Sequence, residues 1–342
     1  MKKLRALSAI VLMFVLVSCS SHKKDTLYLF NWSYYIPDDV LHDFKKETGI
    51  KVILDTYDSN ESMYAKLRTG NAQYDIVVPS SDYVELLQRE GMLAPIERDK
   101  LTNLSYIDED ILAMLTFDKD QEWSAPYFIG ATGININRGR IGDQDPSWSI
   151  FASESLRGRM TMMNDMRESL GAALAYNGFS INSTDPMEIE IAKNTLLKWK
   201  KNLLKFDAEM FGKDFASGSI AVAHGYAEVV LTELEEADGI DYQYLLPKEG
   251  GVIYVDSLVV LANSENQENA HIFINYLLRP DIHARIADTF HYPVLTEEAQ
   301  KLRKKRSAYD IRDALDLGYE VKRDLGDKNS LYTQAWSEIL KS

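Results

Sequence analysis

This sequence of 342 residues is short of cysteine, of long apolar runs and of positive charge. The single cysteine, Cys19, excludes a disulfide within the chain and a structural metal site built from cysteines. The apolar run from Ala6 to Val17 is shorter than the about 20 residues that a spanning helix needs, and no second long run follows. The Gly-rich phosphate loop, the His-Glu-x-x-His zinc motif and the Gly-x-Ser-x-Gly elbow are also absent. We therefore predict that the protein is not an enzyme and has no metal site or cofactor.

The N-terminus predicts an exported protein. Three basic residues precede the apolar run, as in a signal peptide. The stretch Leu16-Val17-Ser18-Cys19 resembles the lipobox of bacterial lipoproteins, in which the cysteine is acylated and becomes the first mature residue. We therefore predict a signal peptide at 1–18, and a lipidated Cys19 with a tether at 19–25 that holds a periplasmic domain to a membrane through lipid alone. The alternative is an ordinary signal peptide with a chance cysteine.

Acidic side chains outnumber basic ones. The chain has 52 Asp and Glu against 38 Lys and Arg, for a net charge of −14. Removal of residues 1–18 takes away three positive charges and no negative one, which leaves 35 against 52 and a net charge of −17. This balance argues against nucleic acid and anionic lipid as partners and favours approach by cations. Solubility alone is an alternative explanation.

Strand and helix patterns alternate along the chain. The alternation runs from Thr26 to Gly91 and resumes at Met160, after extended segments that contain Gly130 and Gly133. This order predicts an α/β protein with two domains, each a mostly parallel sheet flanked by helices. The clearest helix start is the capping sequence at 185–188, where an Asp precedes a Pro.

Aromatic and acidic side chains gather where predicted strands end. The first strand leads into Trp32-Ser33-Tyr34-Tyr35, so it places aromatic faces at its own C-terminal end. Later strands are followed by Ser80 and Asp82 and by Asp165 and Glu168, and an apolar strand carries Tyr254 and Asp256. Aromatic faces opposite carboxylates are typical of a cation site. Core packing of the aromatic residues and helix capping by Ser80 and Asp165 are the alternatives.

Several ordered segments carry a family resemblance: FNWSYY (30–35), KKETGIKVI (45–53), MYAKL (63–67), VVPS (77–80), PKEGG (247–251), DSL (256–258) and LLRPD (277–281). Through them the chain resembles the spermidine/putrescine-binding receptors of bacterial polyamine ABC importers. The resemblance implies the two-lobed type II periplasmic-binding-protein fold, with the ligand in the cleft between lobes. It places the N-terminal lobe at 26–131 and 253–298 and the C-terminal lobe at 132–252 and 299–342. It also implies a monomer that delivers putrescine or spermidine to an ABC permease.

The resemblance also implies the ligand contacts. The positions that match the family are Trp32, Ser33, Tyr35, Ser80, Asp165, Glu168, Asp256 and Tyr292. The resemblance implies that Trp32 and Tyr35 face the ligand, whereas Phe30 and Tyr34 pack. Three further predicted contacts depart from it: His224 and Tyr254 stand where tryptophans are usual, and Asp82 where a tyrosine is usual. A protonated His224 would repel a cation, so we also expect His224 to weaken binding at acid pH.

Two other functions fit parts of the pattern. Paired carboxylates and stacking aromatic residues also suit a secreted glycoside hydrolase. A receptor of the same fold could instead bind an anion at the start of the helix after Pro79. The carboxylates at 82, 165, 168 and 256 oppose an anion because they would repel it.

Overall fold

The computed structural model describes residues 25–70, 73–237 and 239–342. The predicted signal peptide, Cys19 and all of the predicted tether except Asp25 lie outside these described residues. The strands are β1 Thr26–Trp32, β2 Lys51–Tyr57, β3 Ile76–Val77, β4 Leu93–Ala94, β5 Ala125–Ala131, β6 Gly133–Asn137, β7 Met160–Met162, β8 Lys205–Phe206, β9 Val222–Gly225, β10 Tyr242–Leu245, β11 Val252–Leu261 and β12 Glu320–Val321.

Helices cover both sheets that these strands form. The α-helices are α1 Asp38–Thr48, α2 Asn60–Arg68, α3 Ser81–Arg89, α4 Glu109–Met114, α5 Arg138–Ile141, α6 Met166–Tyr176, α7 Pro186–Lys200, α8 Phe211–Ala216, α9 Ala227–Leu234, α10 Gln267–Leu277, α11 Pro280–Phe290, α12 Glu297–Leu302, α13 Ile311–Asp316 and α14 Asn329–Lys341. Short 3₁₀ helices lie at Arg98–Lys100, Thr102–Tyr106, Trp148–Ala152, Glu154–Leu156 and Gly326–Lys328.

Local sequence accounts for the helix ends. Gly49 ends α1 in the left-handed conformation, with φ of 80°, which glycine adopts without the steric cost of a Cβ. At the start of α7 the Asp185 side chain accepts the backbone N–H of Met187 at 2.8 Å, and Pro186 occupies the first turn. The Glu188 carboxylate does not complete a capping box, because it accepts the hydroxyl of Ser183 instead.

The first lobe is built on a seven-stranded sheet. Its order is β12-β11-β3-β1-β2, and β4 and β5 also pair with β11. The strand β11 can pair with several strands because it is ten residues long and buried throughout. It runs antiparallel to β3, β4 and β5, whereas β1 runs parallel to β2 and β3.

The second lobe is built on a five-stranded sheet of order β10-β6-β9-β7-β8. The strand β7 is parallel to β8 and β9, whereas β6 is antiparallel to β9 and β10. Both sheets are therefore mixed rather than mostly parallel. The reason is that β6 and β11, the first strands after the first two lobe crossings, run against the strands of the local βαβ units.

The chain crosses between the lobes three times. The first sheet's β5 ends at Ala131 and the second sheet's β6 begins at Gly133; β10 ends at Leu245 and β11 begins at Val252. The last crossing lies later than the predicted boundary at 298/299. Helix α13 packs in the first core and β12 pairs with β11, whereas α14 packs in the second core through Tyr332, Ala335 and Ile339. A charged helical pattern does not reveal which lobe a helix covers, so no local pattern marks this boundary.

Among the described residues, no helix combines the length and the apolar character that crossing a membrane requires.

The glycine that opens β6 gives a stability prediction. A Cβ on Gly133 would lie 2.5 Å from the backbone oxygen of Leu245, so the paired strand β10 would have to move. We expect Gly133→Ala to lower the free energy of unfolding by about 1–3 kcal/mol. The matched control is Gly139→Ala, where the new Cβ would meet its nearest neighbours at 3.5 Å. Equal unfolding midpoints for the two variants in urea would contradict this account.

Candidate ligand-binding site

The end of β1 presents one aromatic wall of the cleft. The indole N–H of Trp32 donates to the backbone oxygen of Val78 at 2.8 Å, which fixes the half-buried ring at the end of the strand. Tyr34 then turns the chain with a φ of 60° and leaves its own side chain 81% exposed, so the expectation that Tyr34 packs is wrong. The turn brings the buried Tyr35 back toward the cleft, and Ser33 beside it donates to Asp58.

Asp256 lies at the centre of this wall. The register of β11 against β5 shifts just after it, and its backbone bridges to that of Ser80. The hydroxyl of Ser80 donates to Asp256 Oδ1 at 2.6 Å, and the hydroxyl of Tyr35 donates to Oδ2 at 2.5 Å. Burial raises the pKa of Asp256 to about 6, although both hydroxyls and the charge of Lys322 oppose this shift. A buried carboxylate held by neutral hydroxyls is suited to receive a cation.

The second lobe supplies carboxylates at the start of α6. Asp165 caps the helix, because its Oδ1 accepts the backbone N–H groups of Arg167 and Glu168 at 2.8 and 2.9 Å. The Glu168 side chain does not close a capping box. It is fully buried, and its oxygens accept the hydroxyl of Thr132 and the ammonium group of Lys322, each at 2.8 Å. Asp165 therefore caps α6 and can still belong to the site, whereas Glu168 belongs to the site without capping the helix.

A further carboxylate, Glu228, lies where the lobes meet. Tyr254 on β11 donates to its Oε1 at 3.0 Å, and Tyr309 donates to the same atom at 3.3 Å. Its other oxygen is buried without a hydrogen-bond partner among the described residues. Burial raises the pKa of Glu228 to about 7, despite these hydroxyls and the charge of Arg303.

The remaining predicted contacts complete the walls. The ring of Tyr292 lies 4.9 Å from that of Tyr35, in the loop after α11. His291 beside it contacts Glu235 of the second lobe at 2.8 Å, so the lobes touch across the cleft. Asp82, in the first turn of α3, has an oxygen that is buried without a partner among the described residues, and its charge raises the pKa of Asp256.

His224 is the predicted contact that lies elsewhere. Its ring packs edge-on against Trp148 at 5.0 Å and near Phe151, in the core of the second lobe. Burial lowers the pKa of His224 to about 3, although the charge of Asp165 opposes this shift, so the imidazole is neutral between pH 5.5 and 7.5. We therefore withdraw the expectation that His224 contacts the ligand and weakens its binding at acid pH.

Three residues of the site were missed from the sequence: Tyr226, Glu228 and Lys322. Tyr226 and Glu228 directly follow β9, so the same strand-end rule that located Asp165 would have found them. Burial raises the pKa of Tyr226, and the charges of Glu168, Asp165, Asp256 and Glu228 raise it further, which places its hydroxyl among these acids. Lys322 follows the two-residue strand β12, which has no recognisable pattern.

Carboxylates from both lobes thus surround a set of aromatic rings, an arrangement that can bind an extended cation and fix its charged groups. No group of His, Cys, Asp and Glu in the described parts of the chain is arranged to hold a metal ion.

A family model described as bacterial extracellular solute-binding protein matches residues 39–309. This chain belongs to that family.

Relatives of this solute-binding protein match it over nearly their whole length. It is 36% identical to the spermidine/putrescine-binding periplasmic protein of Escherichia coli over 329 residues, 94% of this chain and 93% of that one. It is 31% identical to the putrescine-binding periplasmic protein of the same species, over 99% and 97% of the two chains. The crystal structure of the TpPotD lipoprotein of Treponema pallidum superposes with a TM-score of 0.87 at 37% identity, covering 92% of this chain and 99% of that one. These comparisons confirm the resemblance and the two-lobed fold.

Glu228 gives this solute-binding protein a predictable pH dependence of stability. Its pKa is raised in the folded state, so its stabilising contribution is complete below the pKa of the unfolded chain and is lost as pH rises through about 7. In the ligand-free wild type, Glu228 should lower the free energy of unfolding by about 2 kcal/mol between pH 5.5 and 7.5. Glu228→Gln, which is neutral at every pH, should not show this part of the decrease. Unfolding in urea at both pH values measures this.

The matched control is Glu298→Gln, the same change at an exposed position of α12. The control should keep the wild-type difference between the two pH values. An unchanged difference in Glu228→Gln would contradict the assignment.

Proposed function

We propose that this protein is an extracytoplasmic receptor that captures a polyamine, putrescine or spermidine, and delivers it to an ABC permease. The observation that carries the proposal is the set of buried carboxylates between the lobes, interleaved with aromatic rings. Relatives that match along most of the chain and are named for spermidine and putrescine binding support the same ligand class.

The site has more acidic groups than its own cations neutralise. Asp256, Glu228 and Glu168 are each at most 3% exposed. Among the described residues, Lys322 is the only basic side chain that forms an ion pair with one of the site carboxylates. Buried charges without partners are costly, so this arrangement favours a ligand that brings positive charge.

A polyamine has the matching chemistry. Its ammonium groups would donate charge-assisted hydrogen bonds to the carboxylates, and its methylene chain would lie against Trp32, Tyr35, Tyr254 and Tyr292. Each cation–aromatic contact contributes ~0.5–2 kcal/mol. A few such contacts suffice for a micromolar affinity of about −8 kcal/mol after ordering costs.

Trapping by lobe closure would link binding to transport. Closed lobes carrying ligand would present a different surface to the permease from open ones, so that the permease could recognise the loaded receptor.

We further propose that a lipid on Cys19 holds the receptor at the membrane and that the receptor acts as a monomer. Labelling of the full chain with a fatty acid, lost in Cys19→Ser, would test the anchor.

The alternatives fit less well. The comparisons give no support to a glycoside hydrolase. An anion at the start of α3 would meet Asp82 and Asp256, and the hydroxyls of Ser80 and Ser81 there already donate to Asp256 and to the backbone oxygen of Lys322. Repulsion would therefore oppose an anion at this position.

A thermal-shift panel tests the proposed function directly. We expect putrescine or spermidine at millimolar concentration to raise the melting temperature, because a ligand that binds only the folded state stabilises it. Sulfate and a panel of sugars should produce no shift. A sugar or sulfate response without a polyamine response would contradict the proposal.

Removal of one carboxylate from each lobe should weaken polyamine binding. We expect Asp256→Asn and Glu168→Gln each to raise the dissociation constant at least tenfold. The first removes a buried carboxylate that can accept a ligand ammonium group, and the second leaves the charge of Lys322 unpaired, so that it repels the ligand. The matched control, Asp143→Asn, removes the same charge from a side chain that is 87% exposed. Calorimetry that gives all three variants near-wild-type affinity would refute the site.

Trp32 should contribute more than its aromatic neighbour Tyr34. It is the only tryptophan among the site residues, so we expect Trp32→Ala to weaken polyamine binding about tenfold. Tyr34→Ala, two residues away, removes a ring that faces solvent and should change affinity by less than twofold. Calorimetric titration measures both, and a loss below twofold for Trp32→Ala would contradict the aromatic wall.

A further inference from the structure

Lys322 places a cation of the protein itself inside the proposed site. Its side chain is only 7% exposed, and its ammonium group donates to Glu168 Oε1 at 2.8 Å. The carboxylate partner is fully buried. A buried lysine is rare unless it is paired, so this ion pair is part of how the site is built.

The backbone of Lys322 belongs to the first lobe. Its N–H donates to the backbone oxygen of Ile253 in β11 at 3.2 Å, and its carbonyl accepts the hydroxyl of Ser81 in α3 at 2.7 Å. Glu168 belongs to the second lobe. The lysine is therefore held from one side of the cleft and reaches a carboxylate on the other.

Several acids of the site act on this one ammonium group. The charges of Glu168, Asp165 and Asp82 raise the pKa of Lys322 and overcome the effect of its burial, so the group stays charged. Its charge in turn opposes the upward shift of the pKa of Asp256.

The Glu168 carboxylate consequently has little capacity left for a ligand. One oxygen accepts Lys322 and, at 3.4 Å, the hydroxyl of Tyr226, while the other accepts Thr132. Glu228 and Asp82, in contrast, each keep a buried oxygen without a partner in the described parts of the chain. Free acceptors for ammonium groups therefore remain on Glu228 and Asp82 and not on Glu168.

We propose that Lys322 is a specificity-determining residue that takes the place of one ligand ammonium group, so that the site prefers a diamine to a triamine. This inference rests on the proposed function and deepens it. Putrescine has two ammonium groups and can use the acids that remain available. Spermidine has a third charged nitrogen, which would have to approach the ammonium group of Lys322 or displace it from Glu168.

The ratio of two affinities tests the role of Lys322. Calorimetric titration of the wild-type protein should give a lower dissociation constant for putrescine than for spermidine. Lys322→Gln should move the ratio of the two constants at least tenfold toward spermidine, because it removes the repulsion and frees Glu168. The control Lys301→Gln removes a lysine whose side chain is 70% exposed and should leave the ratio unchanged.

A double variant keeps the proposal testable if the single variant Lys322→Gln does not fold. Lys322→Gln leaves Glu168 buried without its cation, whereas Glu168→Gln with Lys322→Gln removes both charges and retains polar side chains. We expect the double variant to lose the wild-type preference for putrescine. Circular dichroism and melting temperatures identify which of the variants are folded.

The outcomes separate this inference from the proposed function. If the wild type binds polyamines but its ratio changes less than twofold in the folded variants, the role of Lys322 is overturned and the receptor function stands. If the wild type binds neither polyamine, both proposals fail.

Discussion

The structure depends on acidic groups that two lobes bury against each other with too few cations to neutralise them. Asp256 and Glu228 both have pKa values raised by burial, and the side chains of the described residues that donate to their carboxylates do so through hydroxyl groups. A fold that served stability alone would pair these groups or replace them with apolar side chains. Their cost is explained if a cation completes the site, as we propose.

The topology explains how both lobes contribute to the candidate site. The long strand β11 lies at the junction and carries Tyr254 and Asp256, while β9 of the other sheet ends beside Tyr226 and Glu228. Because the chain crosses three times between the sheets, segments that are distant in sequence bring these groups together where the lobes meet. Lys322 lies next to the last crossing and reaches across the cleft to Glu168.

The sequence was informative where a site residue follows a regular pattern. Trp32, Tyr35, Ser80, Asp165 and Asp256 could be located because apolar strands and helix starts mark their positions. The family resemblance implies a ligand contact at His224, but this residue lies within β9 and its ring packs against Trp148 in the second core. The hydroxyl of Tyr226, just after the strand, instead donates to Glu168. Lys322 and the late crossing after β12 depend on contacts between distant segments, which no local pattern encodes.

A crystal structure of the protein with bound putrescine tests the central claim most directly. The account predicts one ligand nitrogen within hydrogen-bond distance of the Asp256 carboxylate, the methylene chain against Trp32 and Tyr35, and Lys322 still paired with Glu168. A ligand bound outside the cleft, or with no nitrogen near a carboxylate of either lobe, would contradict it.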